Sequence, residues 1–393
     1  MPWKEVLVPE ARRRFVLATR QKSESFASLC RRFGISRKSG YKWLARYAQG
    51  GGRALCDASR RPHYCAKAHR SFWREALRRA RRARPHWGPK KLRPVLRKAF
   101  PALKRVPAES TLGRWLGQGD LSVKRQRRAR PGPILAWKRL RVARGCNALW
   151  SVDFKGWFRT GDGRRCEALT VRDVHSRFIL GVVFLPNQSE RAVRQALRRI
   201  FCRYGLPQAI RTDHGAPFGG KGALGLSRLS VWWLRLGIAV EFIRRGHPQD
   251  NGAHEQMHRV LKAETAAPPA QTLRGQKRRT GRWIFSYNEE RPHEALGQQV
   301  PARFYRPSAR RLPRRCAEAS YPGGWQVRRV RNRGQIKWLG RERFIGRAFV
   351  GELVGLKKRH DRAQGVYFQR HLIGLLYEQD VAGMRPVSIA PPA

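Results

Sequence analysis

Between residues 146 and 264 the order of apolar runs and helix signals leaves few folds open. "ALWSVDFKGWF" alternates, with Trp150, Val152 and Phe154 on one face and Asp153 on the other. "RCEALTVRDV" and "RFILGVVFL" follow as further apolar runs separated by "HS", which predicts a meander with the first. "SERAVRQALRRIFCRYGLP" then reads as a well-marked helix. Ser189 can cap it, Ala192, Val193, Ala196, Leu197 and Ile200 form its stripe, and Gly205-Leu206-Pro207 stops it. "QAIRTD" is a short strand, followed by a Gly-rich loop, a helix through "LSRLSVWWLRLG", a strand at "IAVEFI" and a helix from about Pro248. Three strands, helix, strand, helix, strand, helix is a mixed α/β order.

Ahead of this region the chain reads as helices. In "SFASLCRRFGISRKSGYKWLARYAQGG", Phe26, Leu29, Cys30 and Phe33 make a helical stripe, Gly34 turns the chain, and Ser36 can cap a second helix. That helix offers Arg37, Lys38 and Lys42 outward while Tyr41 and Leu44 are expected to pack back, a layout suited to a DNA major groove. A plain helical hairpin would share the pattern, but the local basic surplus favours DNA. Residues 1–52 are therefore expected to form an all-α helix-turn-helix domain. Beyond Gly50, Gly51 and Gly52 a second helical DNA-binding unit is expected over 53–122, with Pro89 near a helix start and Lys90 and Lys91 available to phosphates. Residues 123–145, basic and broken by Pro and Gly, read as a linker, and the α/β core spans 146–306. Residues 307–393 turn basic and then β-rich, with turns at Asn332-Arg333-Gly334 and Asp361-Arg362, which predicts a small antiparallel β-barrel.

Lys and Arg number 85 against 26 Asp and Glu, a formal charge of +59 spread along nearly the whole length. Such a field favours a polyanion, nucleic acid above all, although coating an acidic particle or anionic lipid would use the same charge. No run approaches the ~20 apolar residues that cross a bilayer. The start "MPWKEVLVPEARRRF" lacks an apolar signal core, so a soluble chain of the cytoplasm or nucleoid is expected, with no membrane partner. The 7 cysteines are scattered with no C-x-x-C, which argues against a disulfide framework. His63, Cys65 and His69 lack a second cysteine pair at finger spacing, so no structural zinc is expected there.

In so basic a chain an acid inside an apolar strand stands out. Asp153 lies between Trp150 and Phe158, where burying a lone carboxylate is costly unless a cation or hydrogen bond meets it. Asp213 ends "QAIRTD" and leads into "HGAPFGG", at the carboxyl end of a strand, where α/β sheets place their ligands. In "HPQDNGAHEQMHRVLKAE", helical periodicity puts Met257, Val260 and Leu261 on one face and Glu255, Arg259 and Lys262 on the opposite one. Asp250 and Asn251 are expected to cap that helix, and Glu264 to lie in solvent. Taken singly, each acid is more often a partner for arginine than a ligand. Together, Asp153, Asp213 and Glu255 could converge on divalent cations, which demand hard oxygen ligands. Two such ions about 3.5–4 Å apart can activate an attacking oxygen and stabilise a leaving one in phosphodiester chemistry.

"WSVDFKGWF", "IRTDHGAPF" and "HPQDNGAHEQMHRVLK", followed by "SYNEERPHEALGQQVPARFY", resemble in order the catalytic core of insertion-sequence transposases of the retroviral-integrase superfamily, over about residues 149–307. The resemblance implies a ribonuclease-H-like fold with an Asp, Asp, Glu triad carried by Asp153, Asp213 and Glu255. The helical front end and the small barrel behind also resemble that family's arrangement. The implied activity is that of a DNA transposase, which binds the ends of a mobile element, cuts there and joins those ends to target DNA with two magnesium or manganese ions. Arg259 and Lys262 resemble the basic residues that follow the family's Glu and hold the DNA end. A homo-oligomer on double-stranded DNA is expected on functional grounds, since paired ends need more than one copy. His293 of "YNEERPHEALG" is expected in packing or DNA contact. Two departures stand out: His214 where such proteins often carry Asn, and a longer separation of Asp213 from Glu255, which "GGKGALGLSRLSVWW" can absorb. A DNA-binding repressor or architectural protein without catalysis, and a structure-specific nuclease, are the alternatives.

Overall fold

The computed structural model describes residues 8–57, 71–103, 105–119, 121, 140–244, 247–359, 363–380 and 383–387, in two compact units, 1–70 and 71–393. His63, Cys65 and His69, the turn at Asp361-Arg362 and residues 123–139 of the expected linker lie outside the described residues.

The first unit holds α1 (Val8–Arg20), α2 (Phe26–Arg32) and α3 (Arg37–Gly50) around Phe15, Val16, Leu29, Cys30 and Trp43. Ser25 and Ser36 start α2 and α3, each hydroxyl accepting the backbone N–H three residues on. Gly40 sits where α3 crosses α2, and a Cβ there would fall 2.8 Å from the Phe26 ring. That contact decides which aromatic is buried. Trp43, one turn from Gly40, shares its face and is 7% exposed, whereas Tyr41, expected inside, lies on the flank beside Phe26 and is 61% exposed.

The second unit begins with α4 (Ser71–Ala83), α5 (Pro89–Ala99) and α6 (Glu109–Gln118), packed on Trp73, Leu77, Trp87, Leu92, Leu96 and Leu112. A mixed sheet follows, made of β1 (Trp150–Arg159), β2 (Arg165–Asp173), β3 (Ile179–Leu185), β4 (Ala209–Thr212) and β5 (Ala239–Phe242) in the order β3-β2-β1-β4-β5. The first three strands are antiparallel, and β4 and β5 run parallel to β1. Alternation along β1 sends Trp150 and Val152 into a core with Val193, Leu197 and Phe201 of α7 (Glu190–Tyr204) and Leu229 and Trp233 of α8 (Arg228–Arg235). Ser151 and Asp153 therefore face the other side. There α9 (Gly252–Leu261) and α10 (Leu273–Phe285) cover the sheet through Met257, Leu261 and Trp283, together with Tyr287 just beyond α10 and Ile179. After a short helix, α11 (Pro301–Phe304), the chain turns to β-structure.

The C-terminal strands are β6 (Gln326–Arg329), β7 (Gln335–Trp338), β8 (Arg341–Phe344), β9 (Leu353–Lys358), β10 (Ala363–Phe368), β11 (His371–Tyr377) and β12 (Arg385–Pro386). They form an antiparallel sheet ordered β12-β11-β10-β9-β6 and a separate β7-β8 hairpin. Among the described residues the ladder does not close into the ring that a barrel requires. Packing still joins the two pieces, because Ile336 and Trp338 of the hairpin share a core with Val354, Leu356, Val366 and Phe368. Leu226, Val231 and Leu234 enter that same core, and Arg235 pairs with Glu352 at 3.1 Å, so the sheet is anchored on α8. No helix among the described residues is long and apolar enough to cross a membrane.

Trp150 and Trp157 share one strand but differ in surroundings, the first fully buried and the second 56% exposed. Trp150→Ala is expected to destabilise the chain by about 3–5 kcal/mol, and Trp157→Ala by less than about 1 kcal/mol. Denaturant unfolding of both variants measures the contrast.

Candidate active site

Two strands deliver two of the carboxylates. β1 and β4 pair at Trp150 with Ile210 and at Ser151 with Arg211, and the same register carried on sets Asp153 level with Asp213. Asp213 stands one residue beyond β4, where its Oδ1 accepts the Gly215 N–H at 3.1 Å and tightens the turn. His214 stacks on Phe242 of β5, with ring centroids 4.7 Å apart. The long segment to Glu255 includes a loop that closes through a bridge between Gly219 and Leu226 and packs Ala223, Leu224 and Leu226 against the C-terminal sheet.

α9 brings the third. Its buried side carries Met257 and Leu261, as the periodicity predicts, and also His254 and His258, both of them buried. Glu255 is half-buried, while Arg259 and Lys262 are exposed. Under the buried side lies a polar stripe of the sheet, because cross-strand partners point the same way: Asp153 opposite Thr170, and Ser151 opposite Arg172. Thr170 Oγ1 lies 2.9 Å from the Asp153 carbonyl oxygen, 2.6 Å from His254 Nε2 and 2.8 Å from His258 Nε2. His254 Nδ1 meets Ser151 Oγ at 2.7 Å, Ser151 Oγ meets Asn251 Oδ1 at 2.8 Å, and Arg172 donates to the Ala253 carbonyl at 2.6 Å. This network ties the helix of Glu255 to the strand of Asp153.

The electrostatics follow from burial and crowding. Asp153 is raised to about 7, first by burial and then by Asp213, with Glu255 adding to the effect. Asp213 and Glu255 thus both lie within reach of the Asp153 charge. Burial pushes His258 down to about 3, helped by Lys155 and Arg172, and holds His254 well below the ordinary imidazole range, helped by His258 and Arg172. Both rings are neutral at physiological pH. Asp153, His254 and His258 each offer a ligand atom within 4.8 Å of the others, and His258 Nδ1 stands 3.9 Å from Asp153 Oδ2. His254 is poorly placed to ligate, since both of its ring nitrogens are engaged. Beside the acids a cleft is lined by Lys155, Trp157, Phe184, Leu261, Lys262 and Thr265. Burial and the Lys262 charge lower Lys155, which places the two ammonium groups near each other.

Three expectations change. Asp250 does not cap α9. Its carboxylate accepts the Arg244 backbone N–H and, at 2.9 and 2.7 Å, two guanidinium N–H groups, because the turn entering the helix brings Arg244 back over it. Asn251 occupies the cap position without a side-chain cap bond and turns instead to Ser151. Glu264 is not in solvent, since Trp283 Nε1 donates to it at 2.9 Å and Arg291 at 2.7 Å where α10 folds back.

The basic residues also separate by environment. Arg37, Lys38 and Lys42 are exposed on α3 in the first unit. Lys90 is exposed but paired with Glu294 at 2.9 Å, and Lys91 donates to the Pro292 carbonyl at 2.6 Å and is pushed down to about 8 by burial. Those contacts, with Arg84–Glu290 at 3.4 Å and Arg291 over the Trp87 ring, dock the helices α4 to α6 on "YNEERPHEALG". They direct both lysine ammonium groups to protein partners. His293 packs beside Tyr287 in the same joint and is pushed down to about 3 by burial, then by Lys91 and Arg291. The Thr170, Ser151 and His254 network was missed from sequence. Its one legible signal is that His254 and His258, one turn apart, fall on the face of Met257 and Leu261.

Comparison with known proteins agrees with this architecture. Residues 143–248 and 236–301 match integrase core domains, residues 11–63 a helix-turn-helix domain, and residues 325–377 the C-terminal domain of IS481 family transposases. The chain is 30% identical over 181 residues to the insertion element IS407 uncharacterized 31.7 kDa protein of Burkholderia multivorans, covering 46% of this chain and 63% of that one. It is 27% identical over 219 residues to the insertion element IS476 uncharacterized 39.2 kDa protein of Xanthomonas euvesicatoria, covering 56% and 60%. It thus spans about three fifths of the length of these curated relatives. Among solved structures, the HTLV-2 integrase catalytic core domain in complex with magnesium aligns at 12% identity over 42% of this chain and 100% of that one, with a TM-score of 0.31. The BIV integrase catalytic core domain aligns at 19% identity over 40% and 93%, also with a TM-score of 0.31.

The raised Asp153 gives a signed pH dependence. Its folded value of about 7 lies above the unfolded carboxylate range, so in chelator-treated protein its contribution to stability is complete below about pH 4 and is lost as the pH rises through 7. Asp153→Asn, which cannot ionise, is expected to exceed the native chain in stability at pH 8 by on the order of 2–4 kcal/mol. The difference should vanish toward pH 4. Denaturant unfolding across that range in chelator tests this, and a pH-independent difference refutes it.

Proposed function

We propose, for a chain built on an integrase core between a helix-turn-helix domain and an IS481-type C-terminal domain, that it is a DNA transposase of an insertion element. The reading is that it binds the element's ends, cuts there and transfers the strands to target DNA. The observation that carries this is the gathering of Asp213 and Glu255 about a buried Asp153, where burial first and their charge second raise Asp153 to about 7 in a chain of net charge +59. Like charges so close are unfavourable unless a cation joins them, and their donor atoms are hard oxygens. These three residues would hold divalent ions, magnesium or manganese in a pair, which when bound would supply Lewis-acid activation of the attacking oxygen and stabilisation of the leaving one.

The chain's own side chains do the rest. Lys155 and Lys262, on the rim of the cleft beside the carboxylates, hold a strand's phosphates, with Arg259 one helical turn before Lys262 extending the track. The hydrogen-bonded contact of Thr170 with His254 and His258 holds α9 at a set height over β1, so that Glu255 and Asp153 keep their spacing without rearrangement during reaction. Strand transfer forms one phosphodiester bond for each one broken. Arg37, Lys38 and Lys42 on α3 read or grip duplex DNA from the first unit, and the C-terminal β-rich part, a small barrel in its fuller form, adds further contacts. The protein would act in the cytoplasm, associated with the nucleoid, as an oligomer assembled on paired ends.

Asp153→Asn, Asp213→Asn and Glu255→Gln should each lower strand transfer on DNA carrying the element's ends by about a thousandfold or more. Binding to the same DNA should change little, since it rests on the many Lys and Arg side chains. Full activity in any of the three would refute the assignment, and release of cut strands that are never joined to target would mark a nuclease.

A further inference from the structure

We propose that His258 Nδ1 is a ligand of the divalent cation held by Asp153, so that the site presents an imidazole nitrogen beside its carboxylate oxygens. This deepens the reading above and rests on Asp153 as a cation ligand. Thr170 supplies the argument. A hydroxyl has one proton to donate and two lone pairs to accept with, and this one touches three polar atoms: the Asp153 carbonyl oxygen at 2.9 Å, His254 Nε2 at 2.6 Å and His258 Nε2 at 2.8 Å. If the proton goes to the carbonyl, both imidazoles must donate from Nε2. If it goes to His254, the nearer ring, His258 must again donate from Nε2. The third arrangement, with the hydroxyl proton on His258 Nε2, both leaves the Asp153 carbonyl facing a lone pair and makes His254 Nδ1 compete for the Ser151 proton that goes to Asn251 Oδ1. The one proton of a neutral His258 therefore sits on Nε2 and leaves the Nδ1 lone pair bare.

That lone pair faces Asp153 Oδ2 at 3.9 Å. The distance is too long for a hydrogen bond. It is within the roughly 4 Å that two ligand atoms about 2.0–2.2 Å from one ion can span. Two acceptors facing each other in a largely buried place repel unless a positive species lies between them. The ring cannot easily turn away, being buried, held by Thr170 and set edge-on to His254 with centroids 4.7 Å apart. Ligation takes the neutral form of the ring. His254 serves as its brace, since Ser151 and Thr170 occupy both of that ring's nitrogens. An imidazole in the ligand set moves metal preference from magnesium toward manganese and other borderline ions.

Pulsed electron paramagnetic resonance on the full chain loaded with Mn2+ tests the assignment. Nuclear modulation from a directly bound nitrogen is expected, changing to the nitrogen-15 pattern when the protein is made with 15N-histidine, a readout that needs no variant. His258→Gln, with His258→Asn as a second variant, should still bind Mn2+ but lose the modulation. Mn2+ bound in an Asp153-dependent manner without nitrogen coupling, or with coupling that persists in the His258 variants, overturns the ligand role and leaves the carboxylate reading intact. Mn2+ binding that is unchanged in Asp153→Asn overturns both.

Discussion

The period-two alternation of β1 is the constraint on which the rest of the core depends. Trp150 and Val152 are fixed inward by the packing of α7 and α8, so Ser151 and Asp153 have to face α9. A slip of one residue would drive Asp153 into the apolar core and expose Trp150, which makes the register strongly specified. The same pairing aligns β2, whose Thr170 and Arg172 come up beside Asp153 and Ser151. Position along one strand thus sets both the carboxylate and the polar bed on which its companion helix rests.

That bed is unusual for the face of a sheet. Arg172 is 2% exposed and spends its guanidinium on the α9 backbone, and the helix answers with two histidines in place of aliphatic side chains. Burying polar groups is tolerable only where they satisfy one another. Here Thr170, Ser151, Asn251, the His254 ring and the Nε2 edge of His258 do so. Hydrogen bonds have directions that dispersion contacts lack, so the network fixes the axial position of α9 more tightly than an apolar stripe would. Glu255 inherits that position.

Charge acts at two ranges. Over the whole chain the excess of cations attracts a polyanion without choosing a sequence. Locally, burial and then the charges of Asp213 and Glu255 raise Asp153, while Lys155 and Lys262 stand just beside them. Elsewhere the scarce acids are consumed by structure. Asp250 holds Arg244, Glu264 holds Arg291 and Trp283, and Glu294 holds Lys90. What sets the three apart from Asp250, Glu264 and Glu294 is company of like sign in place of a cation at hydrogen-bond distance.

The element order of the core, the Ser189 cap of α7 and the apolar face of β1 were all legible in the sequence, because periodicity and capping act over a few neighbouring residues. The inward turn of Trp43 in place of Tyr41, the arginine partners of Asp250 and Glu264, and the docking of Lys90 and Lys91 on the segment after α10 were not legible. Each depends on which distant element lies opposite, and a helical wheel has no term for that. His254 and His258 show the division most clearly. The sequence by itself placed them on the packed face of a helix. Only the tertiary structure, by setting Thr170 of a neighbouring strand between them, decided that their ring nitrogens are constrained donors and acceptors beside a crowded carboxylate.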